Sequence, residues 1–557
     1  MVTTNYLLQV DWENDGNYTG TYDDVSSETF NVQFRRGRDY ASQVSGNSTA
    51  GKLTAYLNNE AEGGSFPYTF PFEFALREGG KYSPSNAASV LAGNLEVGRP
   101  VRFGTAKTGE FPYEFPMDFS KLPVPEWTGR LQSLVPEPSS TGLNRVVLTA
   151  VGPLGYINDL IPISEMQSDI RTDEAIGVIL DDAGWGATER ELAVGQTTMN
   201  RWWTDSVDTI TALRIVEETE NGFVKETATG AIAFESRNTR LSEPYITSQA
   251  LFSDSGVGGE FPYTFPFVFT ANSYMQLEQT DPLETVINRF DATFRSYLVT
   301  GQPDLWTYPE TGVDSPQLAA GERRSFIAEY PNNSSDPEAI GVDAWLSPVS
   351  GVDIIANSAA NGAGIDASSS MVIQQNPRAN QMLIIVENNY VNATTGKPST
   401  VWLQTLKARG TPIKLKDNTL VTQSDSASVT KYGERKFTAD TPFFPYLATA
   451  QSWCNYQIQM YSTPINVMTM TFNANSNQGN MNAAIDLDVS DRITLDATGN
   501  AELGVSGDFF IEEINHSITN GGQLHMVTWK LSPADSGYTQ FWKLDTGALG
   551  STTVPAY

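Results

Sequence analysis

Three stretches of this chain share one nine-residue pattern that suits a β-strand and no helix. They are Phe66-Pro67-Tyr68-Thr69-Phe70-Pro71-Phe72-Glu73-Phe74, then Phe111 to Phe119 (FPYEFPMDF), then Phe261 to Phe269 (FPYTFPFVF). Odd steps are aromatic or Met; even steps are Pro, Thr, Glu, Asp or Val. Side chains of a strand alternate between faces, so each copy carries five large apolar groups on one face and almost none on the other. Pro67 and Pro71 share a parity with Thr69, which removes two of the three N–H groups on that edge. Such an edge cannot extend a sheet, and an apolar face beside it suits a strand laid against a neighbour without runaway growth. Two readings stay open: the inner face of a sandwich or barrel, and a contact between proteins. The glycines ahead of each copy, Gly63-Gly64, Gly109 and Gly258-Gly259, look like hairpin excursions set onto a scaffold, which favours contact. The candidate contact residues are then Phe66, Tyr68, Phe70, Phe72 and Phe74; Phe111, Tyr113, Phe115 and Phe119; and Phe261, Tyr263, Phe265, Phe267 and Phe269.

The chain has 557 residues, and at ~150 residues per domain that implies about four domains with separate cores. Forty-five glycines, thirty prolines and abundant Thr, Ser, Asn and aromatics favour a mainly β protein with many turns. Thirty-five basic residues stand against 65 acidic ones, a net charge of −30. Such a surface repels nucleic acid, so DNA is not held through its phosphates, although an acidic tube would let DNA slide past. The opening Met1-Val-Thr-Thr-Asn-Tyr lacks a basic region followed by an apolar run, and no apolar stretch approaches eighteen residues, so neither a signal peptide nor a membrane span is expected. A single cysteine, Cys454, rules out an internal disulfide and a thiolate-rich zinc site. With only His516 and His525, histidine chemistry has little to build on, and both read as structural or surface residues.

Residues 1–163 read as strand after strand with Gly, Asn and Asp turns, a β-barrel or sandwich holding the first two aromatic inserts. Residues 164–245 read as a small α+β domain. One helix runs from Thr172, with Ala175, Ile176, Ile179, Leu180 and Ala183 on one stripe; a second begins at Asp205 and stops at Asn221-Gly222; a hairpin follows through Phe223 and Phe234. Residues 246–445 read as a β domain with the third aromatic insert and long loops, including a Ser/Asn/Gly/Ala-rich stretch near 350 to 370. Residues 446–557 read as an α+β domain with a helix from Leu447 and a hairpin across Asn520-Gly521-Gly522.

The strongest local constellation is Asp11-Trp12-Glu13-Asn14-Asp15-Gly16-Asn17, with Asp23-Asp24 following. Oxygen ligands at positions one, three and five and glycine at six match a calcium loop, giving Asp11, Glu13, Asp15, Asn17 and Asp23 as a candidate Ca2+ set. Position twelve is Tyr22 rather than Glu, and the same residues build an ordinary polar hairpin turn. The adjacent carboxylates Glu512-Glu513 point to opposite faces of a strand and cannot converge on one substrate. No nucleophile elbow, phosphate-cradling loop or zincin motif is present. Arg35-Arg36-Gly37-Arg38 concentrates positive charge in an acidic chain; it either docks an acidic neighbour or is a solvated strand end.

Taken in order, Val10-Asp11-Trp12-Glu13-Asn14-Asp15-Gly16, Arg36-Gly37-Arg38-Asp39-Tyr40-Ala41-Ser42, Ser48-Thr49-Ala50-Gly51-Lys52-Leu53-Thr54 and Gly98-Arg99-Pro100-Val101 resemble the opening of tail hub or minor tail proteins of long-tailed bacteriophages. Thr172-Asp173-Glu174-Ala175-Ile176, Arg409-Gly410-Thr411-Pro412, Asp488-Val489-Ser490-Asp491-Arg492-Ile493-Thr494-Leu495 and Trp529-Lys530-Leu531-Ser532-Pro533-Ala534 continue the likeness across nearly the whole chain. Each motif is short and non-catalytic; the order carries the specificity. The resemblance implies a homotrimeric hub at the distal end of a tail tube, with two tail-tube-like β-barrels per subunit forming a six-fold-like ring. The barrels would be the first and third β regions or the first and last. It further implies a virion location, tube, tape-measure and fibre or tip proteins as partners, DNA only in passage, and no catalysis. The aromatic inserts interrupt the family pattern, so their role is not inherited from it. A receptor-binding adhesin, and more remotely a carbohydrate-active enzyme on a β scaffold, are the alternatives.

Overall fold

The computed structural model describes residues 3–38, 49–59, 81–82, 91, 93–106, 124–137, 144–205, 207–254, 272–280, 283–299, 301, 304–310, 313–330, 339–440, 442–499 and 503–534. The protein is mainly β, with several sheets. The largest has twelve strands. In chain order they are β1 (Asn5–Val10), β2 (Thr29–Gly37), β3 (Lys52–Asn58), β4 (Pro100–Ala106), β5 (Val124–Glu137), β6 (Arg145–Val151), β7 (Ala250–Ser253), β8 (Gln276–Thr280), β9 (Val467–Asn473), β10 (Arg492–Ala497), β11 (Val505–Thr519) and β12 (Leu524–Pro533). Their spatial order is β1-β4-β5-β6-β3-β2-β11-β12-β9-β8, with β10 against β11 and β7 parallel to β10. The first and last regions of the chain therefore share one sheet, joined where β2 pairs with β11 from Val32↔Ile518 to Gly37↔Glu513.

This one sheet wraps two cores. Alternate residues of the N-terminal strands, among them Leu8, Val32, Phe34, Leu53, Leu57, Phe103 and Leu148, fill the first with Trp12 and Trp127. Met468, Met470, Phe472, Ile493, Leu495, Phe509 and Trp529 fill the second, covered by the helix Gln478–Asp486. Each fully buried side chain of this kind contributes roughly 1.5–3 kcal/mol, so strict alternation fixes which face of every strand turns inward. β11 serves both lobes through a bulge: Ile511 sits opposite Leu531 but Glu513 opposite Lys530, leaving Glu512 as the extra residue. The bulge reverses the parity of the inward positions, from Phe509 and Ile511 before it to Ile514 and Ile518 after it.

The two helices read from sequence in the small module form at Thr172–Asp182 and Thr209–Glu220, and the hairpin at Phe223–Glu226 and Ile232–Glu235. Asp208 caps the second helix by accepting from Thr211 N, which starts it at Thr209, four residues after the expected Asp205; Asn221, in the left-handed region at φ 57°, ends it as expected. A separate β-sandwich lies between 304 and 412. The first half of the long strand Val401–Ser424 and its partners face the three-stranded sheet of Arg323–Glu329, Gln381–Asn388 and Met371–Pro377 across a core of Trp306, Phe326, Ile384 and Leu403.

Two groupings differ from the sequence reading. β7 and β8, assigned by sequence to 246–445, pair with strands of the C-terminal region. The helix Leu447–Tyr461, assigned to 446–557, packs Ala450, Trp453 and Cys454 against Phe290 and Val421 of the third region. In both cases long-range pairing overrides proximity along the chain. Among the described residues no helix is long and apolar enough to cross a membrane.

Candidate functional site

The three aromatic segments, and with them Phe66 to Phe74, Phe111 to Phe119 and Phe261 to Phe269, lie outside the described residues. Their points of departure are described, and each is a closed base. Tyr82 N donates to Asn59 Oδ1 at 2.8 Å across the first. Thr105 pairs with Val124 across the second. Ser253 N donates to Asn272 O at 3.0 Å and Asn272 N to Leu251 O at 2.7 Å across the third. The scaffold closes beneath every segment.

The five candidate calcium residues form a carboxylate-capped turn. Asp11 is buried and its two oxygens accept from Asp15 N at 3.2 Å and Gly16 N at 2.9 Å. Asp15 Oδ1 accepts from Asn17 N at 2.8 Å, Asp23 Oδ2 from Gly20 N at 2.7 Å, and Glu13 is exposed. These oxygens face backbone donors of their own loop, the geometry of the polar hairpin turn. Among the described residues no group of three or more His, Cys, Asp or Glu is placed to hold a metal ion.

The basic cluster meets acidic partners within its own chain, at the junction of both lobes and the small module. Arg36 is buried; its Nε donates to Glu126 O at 2.8 Å and its Nη1 to Asp488 Oδ1 at 2.9 Å. Arg38 donates from Nε and Nη2 to Glu512 at 2.5 and 2.9 Å, while Arg240, from the module, grips the same carboxylate at 2.7 and 3.0 Å. Ser532 Oγ adds a fifth donor at 2.5 Å. Burial disfavours the Glu512 charge, yet Arg240 and Arg38 hold its carboxyl far below the usual range. Glu513 turns away to Lys530 at 2.9 Å, so the adjacent carboxylates diverge as expected. Gly37, at φ 120°, allows this approach: a Cβ there would stand 2.3 Å from Glu512 O.

The strand Phe223–Glu226, buried at all four positions, ties the module into the junction. Phe223 enters the C-terminal core and Val224 the module core. Lys225 pairs with Glu235 at 2.5 Å and donates to Val489 O at 2.7 Å. Burial works against its ammonium, but Glu235 and Asp488 raise its pKa above the ordinary value. Glu226 accepts from Gly51 N at 2.7 Å and Leu154 N at 2.8 Å, and burial still pushes its carboxyl up to about 7. Sequence reasoning missed Arg240, Glu126, Glu226, Glu235 and Asp488. Only the charged pair Lys225-Glu226, set directly after an apolar pair in a short strand, signalled a buried charge.

No family model matches the chain, and no curated protein matches it. Solved structures do. The 43 kDa tail protein of prophage MuSo2 from Shewanella oneidensis is 8% identical over 96% of this chain and 99% of that one, with a TM-score of 0.43. The tail protein from Neisseria meningitidis MC58 is 8% identical over 96% and 98%, with a TM-score of 0.47. The E. coli c3393 protein, a component of the type VI secretion system, is 7% identical over 94% and 76%, with a TM-score of 0.36. The structures to which this chain is similar are thus phage and prophage tail proteins and a tail-like secretion component.

Proposed function

We propose that the protein is a structural subunit of a viral tail tip: a homotrimeric hub that joins the distal tail tube to adsorption or penetration parts and frames the DNA exit channel. The observation that carries this reading is the single sheet with two cores. Two β lobes side by side in one chain give six lobes in a trimer, the number a hexameric tube above would meet, and the order of sequence motifs points to the same assembly. The net charge of −30 suits a lumen that DNA crosses without adhering. The role is one of geometry rather than catalysis.

Purified full-length protein should form a particle of about 183 kDa, three times 60.9 kDa, ring-shaped with a central hole when imaged. A monomer that persists even with neighbouring tail proteins present would overturn the hub reading.

The aromatic segments are the proposed docking strands toward neighbouring subunits or tail proteins, since each leaves the scaffold at a base that closes on its own. Replacing residues 108–121 by a short Asn-Gly turn is therefore expected to leave the melting temperature within about 2 °C, as for a surface change, while weakening assembly at least tenfold. Light scattering against concentration measures the second quantity; unchanged assembly would assign the segment to the subunit's own packing.

One observation favours adhesin as the second reading. The polar stretch near 350 to 370 is a built loop, in which Asn357 donates to Gly362 O and Gly364 O and accepts from Ala359 N and Gly364 N. It presents exposed Ile365 at the edge of the sandwich. Binding of the isolated protein to host cells, lost on changing this loop, would support that role.

A further inference from the structure

His516 on β11 and His525 on β12 are 1% and 0% exposed, and Nδ1 of His516 lies 2.9 Å from Nε2 of His525. On its other side His525 places Nδ1 3.1 Å from the Thr4 hydroxyl, which also accepts from Asn475 Nδ2 at 3.1 Å. Asn475 closes the group: its Oδ1 accepts from His525 N at 2.5 Å and its Nδ2 donates to Gly522 O at 3.1 Å, while Thr4 N donates to the same carbonyl at 2.9 Å. The His516 ring stacks on Phe34 of β2 at 4.5 Å. Thr4 and Phe34 belong to the N-terminal lobe, Asn475 and His525 to the C-terminal one. The two imidazoles thus sit in the seam between lobes, and their facing nitrogens share a single proton, one donating and one accepting.

From β2, Arg36 acts on His516 and opposes a positive charge there. The segment before β1 brings Thr4, the turn before helix Gln478–Asp486 brings Asn475, and the helix brings Met481, whose sulfur lies 3.8 Å from the Thr4 hydroxyl. Glu513 and Lys530, from the histidines' own strands, pair with each other. No carboxylate hydrogen-bonds either ring among the described residues.

We propose that this imidazole pair makes the seam between the lobes acid-sensitive. A first proton puts a charge on the buried contact with no carboxylate to receive it, and a second turns the facing nitrogens into two donors, so that acidification parts Thr4 and β2 from β11 and β12. Burial, the partner ring and Arg36 depress the His516 pKa, and burial lowers that of His525 to about 3. Because both folded values lie below the ordinary 6.5, the opened seam binds protons first: stability is full above that pH and declines as pH falls toward the folded values. The opening equilibrium rises about tenfold per histidine for each pH unit in that window. Glu126 and Glu226 take up protons in the closed state over the same range and oppose the effect, so the difference between variants carries the test.

Hydrogen exchange by mass spectrometry on the full chain, corrected for intrinsic rates, compares wild type with the double variant His516→Asn/His525→Gln at pH 7.5 and 5.0. Between the two pH values, of which about 1.5 units lie below 6.5, opening of peptides covering 3–10 and 513–533 should rise about 1,000-fold more in wild type than in the variant, while the sandwich strands 371–388 respond alike in both. Equal pH dependence in the two proteins overturns the proposal. Should the variant fail to fold, exchange of the imidazole C2 hydrogens in wild type decides it: midpoints near 6.5 overturn the proposal, and midpoints well below support it.

Discussion

Glu512→Ala is expected to lower the free energy of the first unfolding transition by about 3 kcal/mol, because it takes from two buried guanidinium groups the carboxylate they share, and Glu235, 3.8 Å from Arg240 Nε, reaches only one of them closely enough to pair. The side chain is 0% exposed and receives both nitrogens of a fork from Arg38 and from Arg240, as well as the Ser532 hydroxyl. Removing it exposes neither arginine to water: Arg38 stays under Phe223 at 4.5 Å and Arg240 between Phe223 and Phe510 at 5.1 and 4.7 Å. The penalty is that of two buried guanidinium groups losing their shared carboxylate and not the net worth of the triad. The triple change Arg38→Met/Glu512→Leu/Arg240→Met is accordingly expected to cost far less than Glu512→Ala, and a guanidinium series on all three proteins separates the two quantities. The pH signature follows from the depressed carboxyl. Its contribution is complete above the unfolded value near 4.5 and fades as pH falls toward the folded one, so wild type and variant should converge in strong acid. A loss below 1 kcal/mol at pH 7 would mean that water reaches the junction.

The bulge at Glu512 also marks the limit of what the sequence makes legible. Strands and helices with a clean period could be read: Ala175, Ile176, Ile179 and Leu180 lie buried on one helical stripe, and Asn520-Gly521-Gly522 turns the chain between β11 and β12. Period reports which side of an element is apolar, but not which distant element covers it. Nothing local in Gln276-Leu277-Glu278-Gln279-Thr280 announces that it pairs with Val467–Asn473, nearly two hundred residues later. The turn at Asp11 shows a different limit. Alternating oxygens and a glycine serve a calcium loop and a self-capped hairpin equally, and the sequence does not separate the two; in the structure Asp15 N and Gly16 N donate to Asp11. Arg36 and Arg38 were visible as a charge cluster, whereas their burial was not. Their partners Asp488 and Glu512 lie more than 450 residues away, and only the pairing of β2 with β11 in one sheet brings them together.

Those closed contacts set a second large effect, of opposite sign to the first. Glu126 is 4% exposed, with Thr105 Oγ1 donating to it at 2.7 Å, and burial raises its carboxyl to about 8 against that hydrogen bond. A folded pKa above the unfolded 4.5 means that the native state holds the proton longer. The group's contribution is fully present below pH 4.5 and is lost as pH rises through about 8. The slope is about 1.4 kcal/mol per pH unit, so roughly 4 kcal/mol separates the two ends of that window. Glu126→Gln keeps an oxygen for Thr105 and never ionises. The variant is therefore expected to match wild type near pH 4.5 and to exceed it by about 3–4 kcal/mol at pH 8, read from urea midpoints across the range. Between pH 4.5 and 6.5 the wild-type loss from this carboxyl, to which Glu226 and Glu217 add, runs against the gain from the two buried histidines. Removing Glu126 should thus shift the slope of stability against pH upward by about 1.4 kcal/mol per pH unit relative to wild type over this range. Parallel profiles for the two proteins would show that Glu126 ionises in the folded state at its ordinary pKa, and that water enters the junction behind Arg36.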